Sequence, residues 1–141
     1  MKYVLDSSVG LKWSLAEGDS HIAIRLRDDY CNGVHDLLSP DIFPPEVANA
    51  LASAERQGRI KAGQSAIFLN DILSTAPMIH PSPPHLLRAM EIAVSWKQAV
   101  YDCLYLALAE QEQCEMVTAD DQFHRKMRSD FPFLVRLADL P

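Results

Sequence analysis

A chain of 141 residues, 48% hydrophobic and 23% charged, has the size and composition of one globular domain, read as residues 1–141. Its formal net charge of −6 excludes a protein that grips nucleic acid through its overall field alone. Three cysteines without C-x-x-C spacing and five histidines without H-E-x-x-H spacing argue against a disulfide framework and a zinc site.

The predicted elements alternate. Residues 2–5, Lys-Tyr-Val-Leu, form a short buried strand ending at Asp6, after which Ser7 and Ser8 can cap a short helix around 9–15. Ile22, Ala23, Leu26 and Tyr30 recur at helical spacing over 20–32. A second strand is expected over 37–42, broken by Pro40, and Pro44-Pro45 suits the start of a helix over 45–57 that stops at Gly58. A helix over 62–74 and a short strand at 78–79 follow. Two helices come next, 85–96 and 101–113, then a strand at 115–118, a helix at 121–128 and a last strand at 133–137. Short apolar strands alternating with amphipathic helices indicate α/β with a central, mostly parallel sheet. Ligands in such sheets bind at the carboxyl ends of the strands. The chain opens on Met1 with no basic, apolar leader, and its longest apolar run, Cys103 to Ala109, is too short to span a bilayer. A cytoplasmic protein is expected.

Most of the 19 acids need no special account. Asp28, Asp29, Glu55, Glu91, Glu110 and Glu112 fall on solvated helix faces. Four others stand apart. Asp6 and Asp120 each end a strand, and Glu46 sits in the first turn of a helix. Each has a plain structural role available, as a turn, a cap or a partner for the helix dipole. Asp102 is different: its helix is apolar nearly all round, and no Glu or Gln at 105 completes a capping box. A charge entering such surroundings is costly unless it is paired or binds a metal.

Parallel strands bring Asp6 and Asp120 to one sheet edge, where Glu46 and Asp102 can join them. Carboxylates about 5 Å apart at an effective dielectric near 20 repel by roughly 3 kcal/mol per pair. No Lys or Arg adjoins any of the four in sequence, so a divalent cation is the natural neutraliser. An all-oxygen set favours Mg²⁺ or Mn²⁺. The chemistry implied is metal-assisted hydrolysis of a phosphodiester.

Four fragments carry a family resemblance: "YVLDSSV", "SPDIFPPEVANAL", "AVYDCLYLALAEQ" and "EMVTADDQF". In this order and spacing the chain resembles a PIN domain, and among these the VapC-type toxins of toxin–antitoxin pairs. The resemblance implies a three-layer α/β/α fold and a Mg²⁺- or Mn²⁺-dependent endoribonuclease acting on RNA. It also implies a homodimer inhibited by a VapB-type antitoxin whose chain reaches the pocket. By this carry-over Asp6, Glu46, Asp102 and Asp120 are metal ligands, and Ser7 and Thr118 orient ligands or water. Asp120 is preferred to Asp121 because it follows the strand and Thr-Ala, which leaves Asp121 to cap the helix. Lys12, Arg125, Lys126 and Arg128 are candidates for phosphate contact; Trp13 and Phe43 are read as core.

Rival readings lack their residues. A phosphotransfer domain of the haloacid dehalogenase kind wants a second acid where Ser8 stands. A receiver domain wants an acidic pair after the first strand, where Asp6 stands alone. The remaining alternative is a catalytically silent PIN-like interaction module whose acids serve structure.

Overall fold

The computed structural model describes residues 1–141. Five parallel strands, β1 (Lys2–Leu5), β2 (Asp36–Pro40), β3 (Met78–His80), β4 (Glu115–Thr118) and β5 (Leu134–Arg136), form one sheet in the order β3-β2-β1-β4-β5. Seven helices flank it in a three-layer α/β/α arrangement: α1 (Ser7–Leu11), α2 (Ser20–Cys31), α3 (Phe43–Arg56), α4 (Gln64–Ser74), α5 (Leu86–Trp96), α6 (Val100–Glu112) and α7 (Asp121–Met127). The expected class holds, and the sheet is parallel throughout.

Strands covered on both faces must be apolar without alternation. Val4-Leu5, Leu37-Leu38 and Met116-Val117 meet that demand, each at most 2% exposed. Across them lies α6, which contacts β1, β2 and β4 and carries α5 on its outer side. Its seven consecutive residues Cys103 to Ala109 are all buried, as the unbroken apolar run predicts. Arg88 of α5 forks onto Glu110 of α6 at 2.8 and 3.0 Å and ties the two together. Trp13, Phe43 and Cys103 are core residues. Gly10 matters for packing: a Cβ there would lie 2.8 Å from Cζ of the buried Phe43.

Several boundaries differ from expectation, each for a local reason. Helix α1 spans Ser7–Leu11, earlier than 9–15, because Val9 and Gly10 already donate to the Asp6 carbonyl. Beyond Leu11 the chain tightens into turns, with Lys12 bonding Val9 and Trp13 bonding Gly10. Asp6 occupies the N-cap position, and neither Ser7 nor Ser8 caps the helix. Helix α3 begins at Phe43, two residues ahead of Pro45, since prolines fit a first turn whose N–H groups need no partner. Glu55 is not merely solvated: its Oε1 accepts from the Gly63 and Ser65 N–H groups and the Ser65 hydroxyl, and so caps α4 from a neighbouring helix.

The chain leaves β1 toward β2 and β3 on one side, whereas β4 and β5 lie on the other. The strand order therefore reverses between β1 and β4. A crevice forms at such a switch point, outside the carboxyl ends of the two strands. Asp6 follows β1 there, and Ala119 and Asp120 follow β4.

Candidate active site

Leu5 pairs with Val117 in register, and the Asp6 N–H continues the ladder to the Val117 carbonyl at 3.1 Å. The next residue of β4 is therefore set beside Asp6. It is Thr118, fully buried, and its hydroxyl donates to Asp6 Oδ2 at 2.7 Å. Ser8 Oγ donates to the same oxygen at 2.9 Å and accepts the Ala119 N–H at 3.0 Å, stitching the β1 and β4 loops together. The Ser7 hydroxyl lies 3.5 Å from Oδ1, a weak contact. Asp6 is only 9% exposed, and its pKa is raised. Burial is the main cause; the Thr118 and Ser8 hydroxyls oppose it, and the negative charge of Asp120 adds to it.

Glu46 enters from the first turn of α3. Its Oε1 accepts a 2.6 Å hydrogen bond from the hydroxyl of Tyr105, a buried side chain of α6. Burial raises the Glu46 carboxyl, the Tyr105 bond lowers it, and the Asp6 charge raises it again. The Tyr105 phenol is itself pushed far up by burial and by the Asp6 and Glu46 charges, so it stays a donor.

Asp102 lies in the first turn of α6, three residues before Tyr105 and on the same helix face. Its carboxyl is pushed up to about 6, by burial first and then by Asp6, Glu46 and Asp120 in turn. No hydrogen bond or cation opposes that rise. Asp120 is exposed at the N-cap of α7, its Oδ1 accepting the Phe123 N–H at 3.0 Å. The division of labour expected between the two neighbouring acids is thus corrected. Asp120 caps the helix, and Asp121 is an exposed first-turn residue of α7. Capping uses Oδ1 and leaves Oδ2 without a hydrogen bond.

The four acids thus feel one another's charge, and the donors against them are hydroxyls and amides. Lys12 brings no relief, because its ammonium is held by Asp19 at 2.8 Å and by Glu17. The donor set is all oxygen and its charge is uncompensated, which suits a hard divalent cation. No three His, Cys, Asp or Glu side chains already surround one point as a complete metal shell. That follows from mutual repulsion together with the Asp120 oxygen committed to the cap. Two contributors escaped sequence reasoning. Ser8 was legible as a hydroxyl two residues after an Asp, a spacing that folds back readily. Tyr105 was legible from its place one turn after Asp102, because a buried phenol needs a partner.

Known proteins of the same shape and sequence give this arrangement its context. The chain is 29% identical over 137 residues to Ribonuclease VapC3 of Pyrobaculum aerophilum, covering 96% of this chain and 98% of that one. The crystal structure of PAE2754 from Pyrobaculum aerophilum superposes with a TM-score of 0.71 at 22% identity, over 98% of this chain and 93% of that one. VapBC2 from Rickettsia felis, solved bound to a DNA fragment from their promoter, gives a TM-score of 0.67 at 17% identity over 96% and 97%. These two likenesses establish the fold. The PIN domain family model matches residues 3–128, from the first strand to the end of α7 and across all four acidic positions, so this chain belongs to the PIN domain family.

Proposed function

We propose that the protein is a Mg²⁺- or Mn²⁺-dependent endoribonuclease of the VapC type, the toxin of a type II toxin–antitoxin pair. The observation that carries this reading is Asp102, half-buried, without a donor, and beside three other carboxylates. It has no structural task in the fold, and a cation would give it one. Asp6, Glu46, Asp102 and Asp120 would hold the ion. When bound, such an ion acidifies a water and offsets charge on the phosphate. The chain's own part is to fix the carboxylates. Thr118 and Ser8 hold Asp6 by one oxygen, Tyr105 holds Glu46 by one oxygen, and the Phe123 N–H holds Asp120. Each residue so held keeps its second oxygen to offer.

A groove starts at Ser8 and Ala119, beside Asp6, and passes Leu11, Leu15 and Ala50. A neighbouring depression shares Leu15 and continues past Ala54, Ile60 and Phe68. A VapB-type antitoxin segment laid along it would end at the carboxylates. The structural likeness to VapBC2 supports such a partner. A homodimer belongs to the same reading: Leu87, Met90 and Val94 form an exposed apolar row on α5, continued by Tyr101.

The alternative, an interaction module with structural acids, draws on one fact: Asp120 already has a cap to make. Titration calorimetry with Mn²⁺ separates the two. The native chain should bind the ion and Asp102→Asn should bind it weakly, while RNA cleavage should need the ion and vanish in Asp6→Asn. Absence of Mn²⁺ binding by the native chain would overturn the nuclease reading.

A further inference from the structure

A cavity of about 330 Å³ lies next to the carboxylates on the same side of the sheet. It is lined by Asp121, His124, Arg125 and Arg128 around α7 and by Arg136 and Asp139 after β5, with no apolar residue. Its position follows from register. Thr118, whose hydroxyl holds Asp6, pairs directly with Arg136, so Arg136 ends the adjacent strand at the same carboxyl edge. Adjacent strands are about 4.8 Å apart, which puts the start of the cavity within two strand spacings of Asp6. Along α7, His124 and Arg128 follow the Asp120 cap at intervals of one turn, about 6 Å each.

Three arginines against two aspartates leave this cavity net positive in a chain of charge −6. Arg136 is fixed by Asp139, with Nε and Nη2 donating at 3.1 and 2.8 Å. Arg125 and Arg128 are exposed and form no ion pair. The lining presents guanidinium and imidazole groups and no aromatic carbocycle or apolar wall on which a base could stack. Such a lining selects a phosphate over a base.

We propose that Arg125, Arg128 and Arg136, with His124, form a subsite for a backbone phosphate of the RNA strand, distinct from the phosphate at the carboxylates. The inference rests on the nuclease reading and extends it to how an acidic protein holds a polyanion. The strand is gripped by a local cationic cavity one step along the sheet edge, while the acids meet the bond to be cut. Of the basic residues marked in the sequence, Arg125 and Arg128 belong to this subsite. Lys12 does not, being consumed by Glu17 and Asp19. Arg136 joins them through the fold.

The test is fluorescence anisotropy of a labelled single-stranded RNA over a salt series, with Mn²⁺ present and Asp6→Asn as the background to prevent cleavage. Adding Arg125→Ala/Arg128→Ala should weaken binding about tenfold or more. It should also make the slope of log affinity against log salt shallower by about 1.4, at about 0.7 per lost contact. A charge-matched control, Arg56→Ala/Lys61→Ala, should leave the slope unchanged. On the active chain the arginine pair should raise KM with little change in kcat. An unchanged slope and KM, while the native chain still cleaves RNA, would overturn the subsite and leave the nuclease reading standing. Inorganic phosphate binding that is lost in the arginine variant, with the RNA slope unmoved, would mark a small-anion site and overturn it too. A native chain that neither binds nor cuts RNA would end both readings.

Discussion

Replacing Asp102 by asparagine should stabilise the protein in chelator and destabilise it, relative to native, in manganese. The carboxyl of Asp102 is raised from an ordinary 3.8 to about 6. The folded state therefore binds its proton more tightly than the unfolded chain does. Below about pH 4 the group is neutral in both states and costs nothing. As pH rises from 3.8 toward 6 the folded state resists ionisation, and stability falls. At pH 7 the whole penalty is present. A gap of about two pH units corresponds to roughly 3 kcal/mol. The side chain is only half-buried, and solvent screening brings this to about 1–2 kcal/mol. Asparagine keeps the shape without the charge, so Asp102→Asn in EDTA at pH 7 should melt about 3–7 °C above the native chain. The gain should shrink toward zero at pH 4. Saturating Mn²⁺ at about a hundred times its Kd should add about 2.7 kcal/mol to the native chain and far less to the variant. The order of melting temperatures then inverts. Differential scanning calorimetry at pH 4 and 7, with and without the ion, reads all four values. A variant less stable than native in EDTA at pH 7, or an equal Mn²⁺ gain in both, would refute the reasoning.

Thr118→Val keeps the buried volume but removes the 2.7 Å donor to Asp6; urea unfolding at pH 7 should show a loss of about 1–3 kcal/mol, and a change under about 0.5 kcal/mol would contradict the bond's importance. Tyr105→Phe removes the one phenolic donor to Glu46 and should cost about 1–2 kcal/mol at neutral pH, with weaker Mn²⁺ binding by calorimetry and unchanged far-ultraviolet circular dichroism. Gly10→Ala pushes a methyl group against Phe43, which has no free volume to retreat into, so thermal melting should report a loss of about 1–3 kcal/mol.

The sheet was legible because buried parallel strands leave an unambiguous trace. Four-residue apolar pulses such as Met116-Val117, bounded by polar residues, have no other economical reading, and β4 falls on the expected residues. Helix starts were less legible where side chains had a competing use. Ser8 is a good capping residue, yet its hydroxyl bonds Asp6 and the Ala119 amide, a choice set by β4, 110 residues distant along the chain. Glu55 reads as solvated on its own helix, but the turn after α3 returns the start of α4 to it. The acids of the candidate site stood out because each conflicts with its local surroundings. The donors that hold them are ordinary residues whose role depends on neighbours brought by the fold. Arg136 is the extreme case: in sequence it is a cation inside a strand, and only its register with Thr118 places it near Asp6.

The adjacent acids after β4 show why a structural role and a chemical role need not compete. Asp120 accepts the Phe123 N–H through Oδ1, which satisfies one free amide at the start of α7. The same bond immobilises the carboxylate at the cost of one oxygen and fixes the direction of the other. Its own amide donates to Thr118 Oγ1 at 3.1 Å, and that hydroxyl in turn donates to Asp6. The cap, the strand end and the buried acid are therefore one connected hydrogen-bond chain. An unrestrained surface aspartate beside Asp6 and Asp102 would swing into solvent to escape their charge. The helix cap is what keeps it facing them, so the plain reading of Asp120 supplies the mechanical condition for the chemical one.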